Sequence, residues 1–159
     1  MKNLLLLFLA LSITLFSACA GSDRQASEGT DWEPTPYDTV NNLDGVTMTV
    51  NEDSVSPSGL TVIIENNSDK QCTYGEYFSL EKEIKGKWYQ VPVILEDNYG
   101  FHDIGYDLPP GDVQEWTADW EWLYGKLDAG NYRIVKDILD FRQPGDYDTY
   151  YFAAQFTIE

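Results

Sequence analysis

The sequence predicts an all-β domain of seven to eight antiparallel strands, a sandwich or a barrel, behind an N-terminal stretch that does not belong to the fold. Three observations predict it. From Val46 onward apolar and polar residues alternate with period two. Turn clusters interrupt that alternation about every 8 to 12 residues, the spacing of short antiparallel strands. The composition agrees, because five Trp, eleven Tyr and seven Phe suit a pleated, half-buried surface. No segment of useful length repeats at the helical period.

The first 18 residues read as a leader. Met1-Lys2-Asn3 is a short basic start, and Leu4 to Phe16 are thirteen mostly apolar residues. That length suits a signal peptide and falls short of the roughly 20 residues that span a bilayer. Phe16-Ser17-Ala18-Cys19 follows and resembles the lipobox of bacterial lipoproteins, with Phe16 where Leu is usual. The spacing has a chemical reason. The Cys19 thiol takes a diacylglyceryl group at the membrane surface, and the small Ser17 and Ala18 let a peptidase reach the bond before it. Residues 1–18 are then removed, and Cys19 becomes a lipidated N-terminus on the outer side of the cell membrane. Each buried CH₂ of its acyl chains contributes about 0.8 kcal/mol to the anchor. The alternative is ordinary secretory cleavage after Ala18 or Ala20, which frees a soluble protein.

Residues 19–42 carry Gly, Ser, Asp, Glu, Thr, Pro and Asn with almost no aliphatic side chains. They cannot bury enough surface to offset the entropy of ordering, so the segment is expected to be a disordered tether with a reach of roughly 25 to 30 Å. Trp32 and Tyr37, set among Pro34 and Pro36, are its residues with surface to dock on the domain or on a partner.

The domain occupies 43–159. Val46, Met48 and Val50 alternate with Thr47, Thr49 and Asn51, and after Ser56-Pro57-Ser58-Gly59 the same pattern returns with Leu60, Val62 and Ile64. Asn66-Asn67-Ser68-Asp69 is a turn. Phe78 and Leu80 alternate against Ser79 and Glu81, and Lys85-Gly86-Lys87 loops into Trp88-Tyr89-Gln90-Val91, a second hairpin. After the turn Pro109-Pro110-Gly111-Asp112, Val113 to Trp120 reads as a strand with Trp116, Ala118 and Trp120 on its inner face. Tyr132 and Ile134 begin another, and Phe152, Ala154, Phe156 and Ile158 line the last. Residues 137–141 can form one helical turn, ended by Pro144-Gly145. Asp128-Ala129-Gly130-Asn131-Tyr132 has the D-x-G-x-Y spacing of a tyrosine corner, in which the Tyr hydroxyl bonds back to backbone just upstream. Asp128, Gly130 and Tyr132 would thus form a structural corner between two sheets, which favours the sandwich, with Trp88 as the core tryptophan of an earlier strand.

Charge restricts the partners. The formal net charge is −17, and −18 once Lys2 leaves with the leader (nine basic residues against 27 acidic). Such a surface repels phosphate backbones and anionic head groups within a Debye length, roughly 8 Å, which argues against nucleic acid and for a soluble monomer. With Cys19 in the leader region, Cys72 stands alone in the domain and no internal disulfide forms. Cys72 is expected to be a small, partly buried hydrophobe.

Several segments together resemble a known family. They are Gly59-Leu60-Thr61 with Glu65-Asn66-Asn67-Ser68, Tyr74 through Lys82, Gly86-Lys87-Trp88, Leu108-Pro109-Pro110-Gly111, and Tyr124 through Lys136, closing on Phe156-Thr157-Ile158. The domain resembles the bacterial Ig-like domain of lipoproteins, mainly from Gram-positive bacteria. Nearly the whole domain is covered, and Tyr124 through Lys136 is the most specific part because its turn, aromatic and basic residues come in fixed order. The resemblance implies an immunoglobulin-like β-sandwich and a non-catalytic binding module outside the cytoplasm. It transfers no catalytic residue. The departure from antibody-type domains is the missing cysteine pair.

Residues that carry chemistry are few. His102, between Phe101 and Asp103, is the only histidine, and G-x-S-x-G, H-E-x-x-H and glycine-rich phosphate loops are absent from the sequence. Neither an enzyme nor a cofactor is expected. Asp137, Asp140, Asp146 and Asp148 gather around Pro144-Gly145, read as a loop between the last two strands. Such carboxylates could hold Ca²⁺, which takes six to eight oxygens at about 2.3 to 2.6 Å, although the spacing fits no EF-hand and solvated charge is the favoured reading. Among Trp116, Trp120, Trp122, Tyr124, Tyr147, Tyr150 and Tyr151, the shared face assigns Trp116 and Trp120 to the core. Trp122, Tyr147 and Tyr150 are left as the candidate ligand surface. Arg133 alternates away from Tyr132 and Ile134, so it is expected to point outward and pair with an exposed acid. The function expected is that of a membrane-anchored domain binding an envelope protein or peptide, with a cell-wall glycan as the alternative ligand.

Overall fold

Local alternation and turn chemistry account for most of the strands in the computed structural model, which describes residues 31–96 and 98–159. The leader, Cys19 and the tether as far as Thr30 lie outside the described residues. In chain order the elements are β1 (Val46–Val50), β2 (Gly59–Asn66), β3 (Cys72–Gly75), β4 (Ser79–Ile84), β5 (Lys87–Gln90), β6 (Gly105–Leu108), β7 (Val113–Asp119), α1 (Glu121–Tyr124), β8 (Gly130–Gln143) and β9 (Asp146–Ile158). β2 joins β1 and β7 in one sheet, and β8 centres the other, all pairs being antiparallel. This is the immunoglobulin-like β-sandwich.

Nine strands form among the described residues where seven to eight were expected. The additional ones, β3 and β6, have four residues each and no amphipathic run of their own; they exist because they pair with each other, and β3 also with β8. The helical turn expected at 137–141 is instead strand. There β8 is paired by β9 on one side and by β3 on the other, and the ladder bonds override a weak local preference. The hairpin β8–β9 therefore runs to Pro144-Gly145, so Asp137, Asp140, Asp146 and Asp148 lie on strands and not in a loop. Between β4 and β5, Lys85 (φ 54°) and Gly86 (φ 76°) both adopt left-handed backbone, the geometry of a tight two-residue hairpin turn.

The core fills the space between the sheets with Met48, Leu60, Val62 and Ile64 from one side and Leu80, Ile134, Ile138 and Phe152 from the other. Each such side chain contributes about 1.5 to 3 kcal/mol when fully buried. Trp120 is completely buried, its Nε1 donates to the Pro57 carbonyl at 2.9 Å, and its ring lies 5.6 Å from Phe156. Phe156 in turn stacks on Tyr132 at 5.7 Å. Trp88 is not the core tryptophan. It is half-buried on β5 at the sheet edge, and Trp116 and Trp120 of the β7 segment take the interior role.

Candidate functional site

The end of the expected tether is the first surprise. Residues 31–42 do not hang free but cross the outer face of the β8 sheet as a strap. The Thr35 amide donates to the Trp88 carbonyl at 3.1 Å and the Gln90 amide to the Glu33 carbonyl at 2.8 Å, which ties the strap to β5. Its other end reaches β9, where the Asn41 amide donates to the Tyr151 carbonyl at 2.8 Å and the Asn41 side chain bonds both backbone groups of Ala153. Between them the Tyr37 hydroxyl meets Ser79 at 2.9 Å and its ring packs 4.8 Å from Tyr151. Composition predicts disorder here because it counts aliphatic side chains. The strap is held by backbone bonds to two strands and by aromatic contacts instead.

The strap explains Arg133. The residue does point away from Tyr132 and Ile134, but its guanidinium is buried, with Nε 2.5 Å from Glu81 and an Nη donating to Thr35 of the strap at 3.1 Å. The Trp88 ring lies 4.7 Å below it. The exposed, weak ion pair expected from alternation is thus a covered one. Glu81 Oε1 has no hydrogen-bond partner among the described residues.

Lys136 marks a second buried charge that the sequence hides. β3 and β4 pair with the same side of β8 in succession, and the chain breaks ladder geometry at Glu76-Tyr77-Phe78 between them. Lys136 Nζ fills the gap by donating to the Gly75 carbonyl at 2.7 Å and the Tyr77 carbonyl at 3.0 Å, while lying 3.4 Å from the Trp116 ring centre. Burial pulls its pKa down from 10.5 to about 7, against the opposing pull of Asp137 and Glu76.

The residues singled out as a ligand surface do not come together. Trp122 is exposed in α1, whereas Tyr147 pairs with Phe141 beside the Pro144-Gly145 turn and Tyr150, half-buried, pairs with Ile138. Trp122 instead joins aromatics from a different part of the chain. Phe101 lies 5.9 Å from it and Tyr99 6.5 Å, and Phe101 also touches Tyr77 and Phe78 at 5.4 Å each. Tyr77, Tyr99 and Trp122 are exposed, with Ile94, Leu95 and Ile104 nearby in sequence also exposed. The only signal in the sequence was a stretch, 91–104, rich in apolar residues yet lacking strand alternation. A groove of about 410 Å³ opens beside this cluster, walled by Phe78, Phe101, Trp116 and Trp122 and rimmed by Glu76 and Asp119. His102 is exposed on the same loop. A larger depression of about 710 Å³ lies elsewhere, where Glu52, Glu83 and Glu159 surround strand ends; its aromatic lining is Tyr132 and Phe156, both committed to the core.

The other predicted residues have structural partners. The Tyr132 hydroxyl donates to the Asp128 carbonyl at 2.9 Å across the corner, and Gly130 takes a φ of 154°. Asp140, Asp146 and Asp148 surround Arg142, which reaches them at 3.6, 2.8 and 3.1 Å, and Asp140 also meets Lys70. Asp137 alternates to the other face of β8. No cluster of three or more His, Cys, Asp or Glu with metal-holding geometry occurs among the described residues. Cys72 is wholly buried, more than expected, and burial raises its thiol pKa.

Comparison with known proteins bears on the whole domain. A family model described as a bacterial Ig-like domain matches residues 42–157. Among solved structures the chain is similar to the ASH / PapD-like domain of human CEP192 (PapD-like domain 7), at 12% identity, covering 76% of this chain and 93% of that one, with a TM-score of 0.34. No curated protein matches.

Proposed function

The chain belongs to the bacterial Ig-like domain family, and on that premise we propose that it is a lipid-anchored, non-catalytic module that binds a protein or peptide outside the cell membrane. The observation that carries the binding reading is the cluster of Tyr77, Tyr99, Phe101 and Trp122, three of them exposed, around a groove. A soluble domain keeps apolar rings in contact at its surface chiefly where something covers them. The anchor rests on the leader and on Phe16-Ser17-Ala18-Cys19.

A cell-wall glycan is the alternative ligand, and exposed Trp122 is the observation in its favour. Sugar rings stack on aromatic faces presented flat. Tyr99, Phe101 and Trp122 stand at 68° to 83° to one another, which suits a cage better than a platform.

The test is a photo-crosslinker placed at Tyr99 in living cells, with the intact mass of the native protein measured in parallel. An adduct with one envelope protein supports the reading. A mass showing unmodified Cys19 overturns the anchor, and cell-wall sugar binding that disappears in Trp122→Ala replaces the protein ligand with a glycan.

A further inference from the structure

We propose that the groove beside Phe101 and Trp122 receives a basic side chain, arginine above all, from the partner polypeptide. This rests on the protein-binding reading and adds to it the chemistry of the partner.

The groove joins two kinds of group that together select a cation. Phe101 and Trp122 line it with aromatic rings, together with the buried Phe78 and Trp116, and Glu76 and Asp119 add acidic residues to the lining. Among the described residues no Lys or Arg lines it. A planar guanidinium satisfies both at once, stacking on a ring while its edge donates to a carboxylate, which a neutral chain or a sugar hydroxyl does less well. Both carboxylates have acceptor capacity for this. Glu76 accepts from the Tyr106 hydroxyl through Oε1, and Asp119 accepts the Glu121 amide at 3.2 Å through Oδ1, so the second oxygen of each is free of those bonds.

The same chemistry operates inside the domain. Arg133 lies on Trp88 and pairs with Glu81, and Lys136 lies on Trp116. Because Lys136 already occupies Trp116, the rings left for a ligand are Phe101 and Trp122. Burial lowers the pKa of Lys136 to about 7, so its own charge falls as pH rises past neutral. A volume of about 410 Å³ takes a side chain and its flanking residues. The net charge of −17 complements a basic partner and speeds its approach at low salt.

The experiment titrates the full chain with two dye-labelled peptides, identical except that one carries arginine between two phenylalanines and the other citrulline, the uncharged isostere. Fluorescence anisotropy should give about tenfold tighter binding for arginine, a difference that shrinks as salt rises. Trp122→Ala, and separately the pair Glu76→Gln with Asp119→Asn, should bring arginine binding to the citrulline level. Tyr147→Ala should leave it unchanged. Circular dichroism checks that each variant folds, and the amide replacements keep the existing acceptor oxygens. Equal binding of the two peptides, or arginine binding indifferent to the groove variants, overturns the groove assignment while leaving a protein-binding module. Cell-wall fragments that bind through Trp122 while neither peptide binds overturn both.

Discussion

Arg133 and Glu81 stand directly opposite each other on β8 and β4, and their side chains meet at 2.5 Å on the face of the sheet that points away from the core. That face would be wet in a bare sandwich. The strap from residue 31 to 42, with Thr35 bonded to the guanidinium and Trp88 stacked under it, makes the site dry. The pair is therefore a second, polar core outside the hydrophobic one. A charge in such a place is costly to leave alone, because desolvation is not offset once its partner is gone.

The first prediction concerns that pair. Glu81→Leu or Arg133→Met alone should cost about 3 to 5 kcal/mol, whereas the two together should recover most of the loss, since an apolar pair of similar volume leaves no buried charge. Urea denaturation of the three variants measures it. Single variants within about 0.5 kcal/mol of the parent would show that the strap does not exclude water.

A second prediction tests the strap itself. Tyr37→Phe removes the bond to Ser79 and should cost about 1 kcal/mol, while Tyr37→Ala also removes the ring contact with Tyr151 and should cost more. Because the strap covers the ion pair, Tyr37→Ala and Glu81→Leu should be non-additive in a double-mutant cycle by at least about 0.5 kcal/mol. Simple additivity would separate strap and pair.

The third prediction is a pH dependence. Burial holds the pKa of Lys136 at about 7 in the folded state against 10.5 as its ordinary value. Between those values the unfolded chain carries the proton and the folded one releases it, so stability should rise with pH above 7. The slope approaches about 1.4 kcal/mol per pH unit at most. Above pH 9 the raised thiol of Cys72 works the other way, because the unfolded chain ionises first. Denaturation curves from pH 7 to 9 should show the rise in the parent and its loss in Lys136→Met.

The corner gives a fourth. Tyr132→Phe leaves the stacking on Phe156 intact and strips the Asp128 carbonyl of its donor, at a cost of about 1 kcal/mol. The urea midpoint should fall with no change in slope.

The acidic strands give a fifth. Arg142 already sits among Asp140, Asp146 and Asp148, so millimolar calcium and excess chelator should give the same melting temperature. Arg142→Ala leaves those acids facing one another and should lower the melting temperature, less so as salt screens them. Stabilisation of the parent by calcium would contradict this account.

The sandwich was legible because its determinants are local. Alternation placed β1, β2, β7 and the end of β9, turn residues placed their boundaries, and the shared face of Trp116, Ala118 and Trp120 put those side chains in the core. The spacing from Asp128 to Tyr132 spans one turn, so its residues identify it without reference to the rest of the chain. Alternation also set the direction of Arg133 correctly. What it could not supply was the environment, since that depends on Thr35, 98 residues away.

Periodicity and turn chemistry, acting over a few residues, thus determined the class of fold, its inner face and its corner. Tertiary pairing alone decided that β3 and β6 are strands, that 137–141 is extended, and that the strap docks. It also decided that Trp122 meets Tyr99 and Phe101, and that Lys136 closes the break between β3 and β4. The reason is physical: burial of a charge or exposure of a ring is a property of what lies across from it, and the chain acquires those neighbours only when distant segments meet.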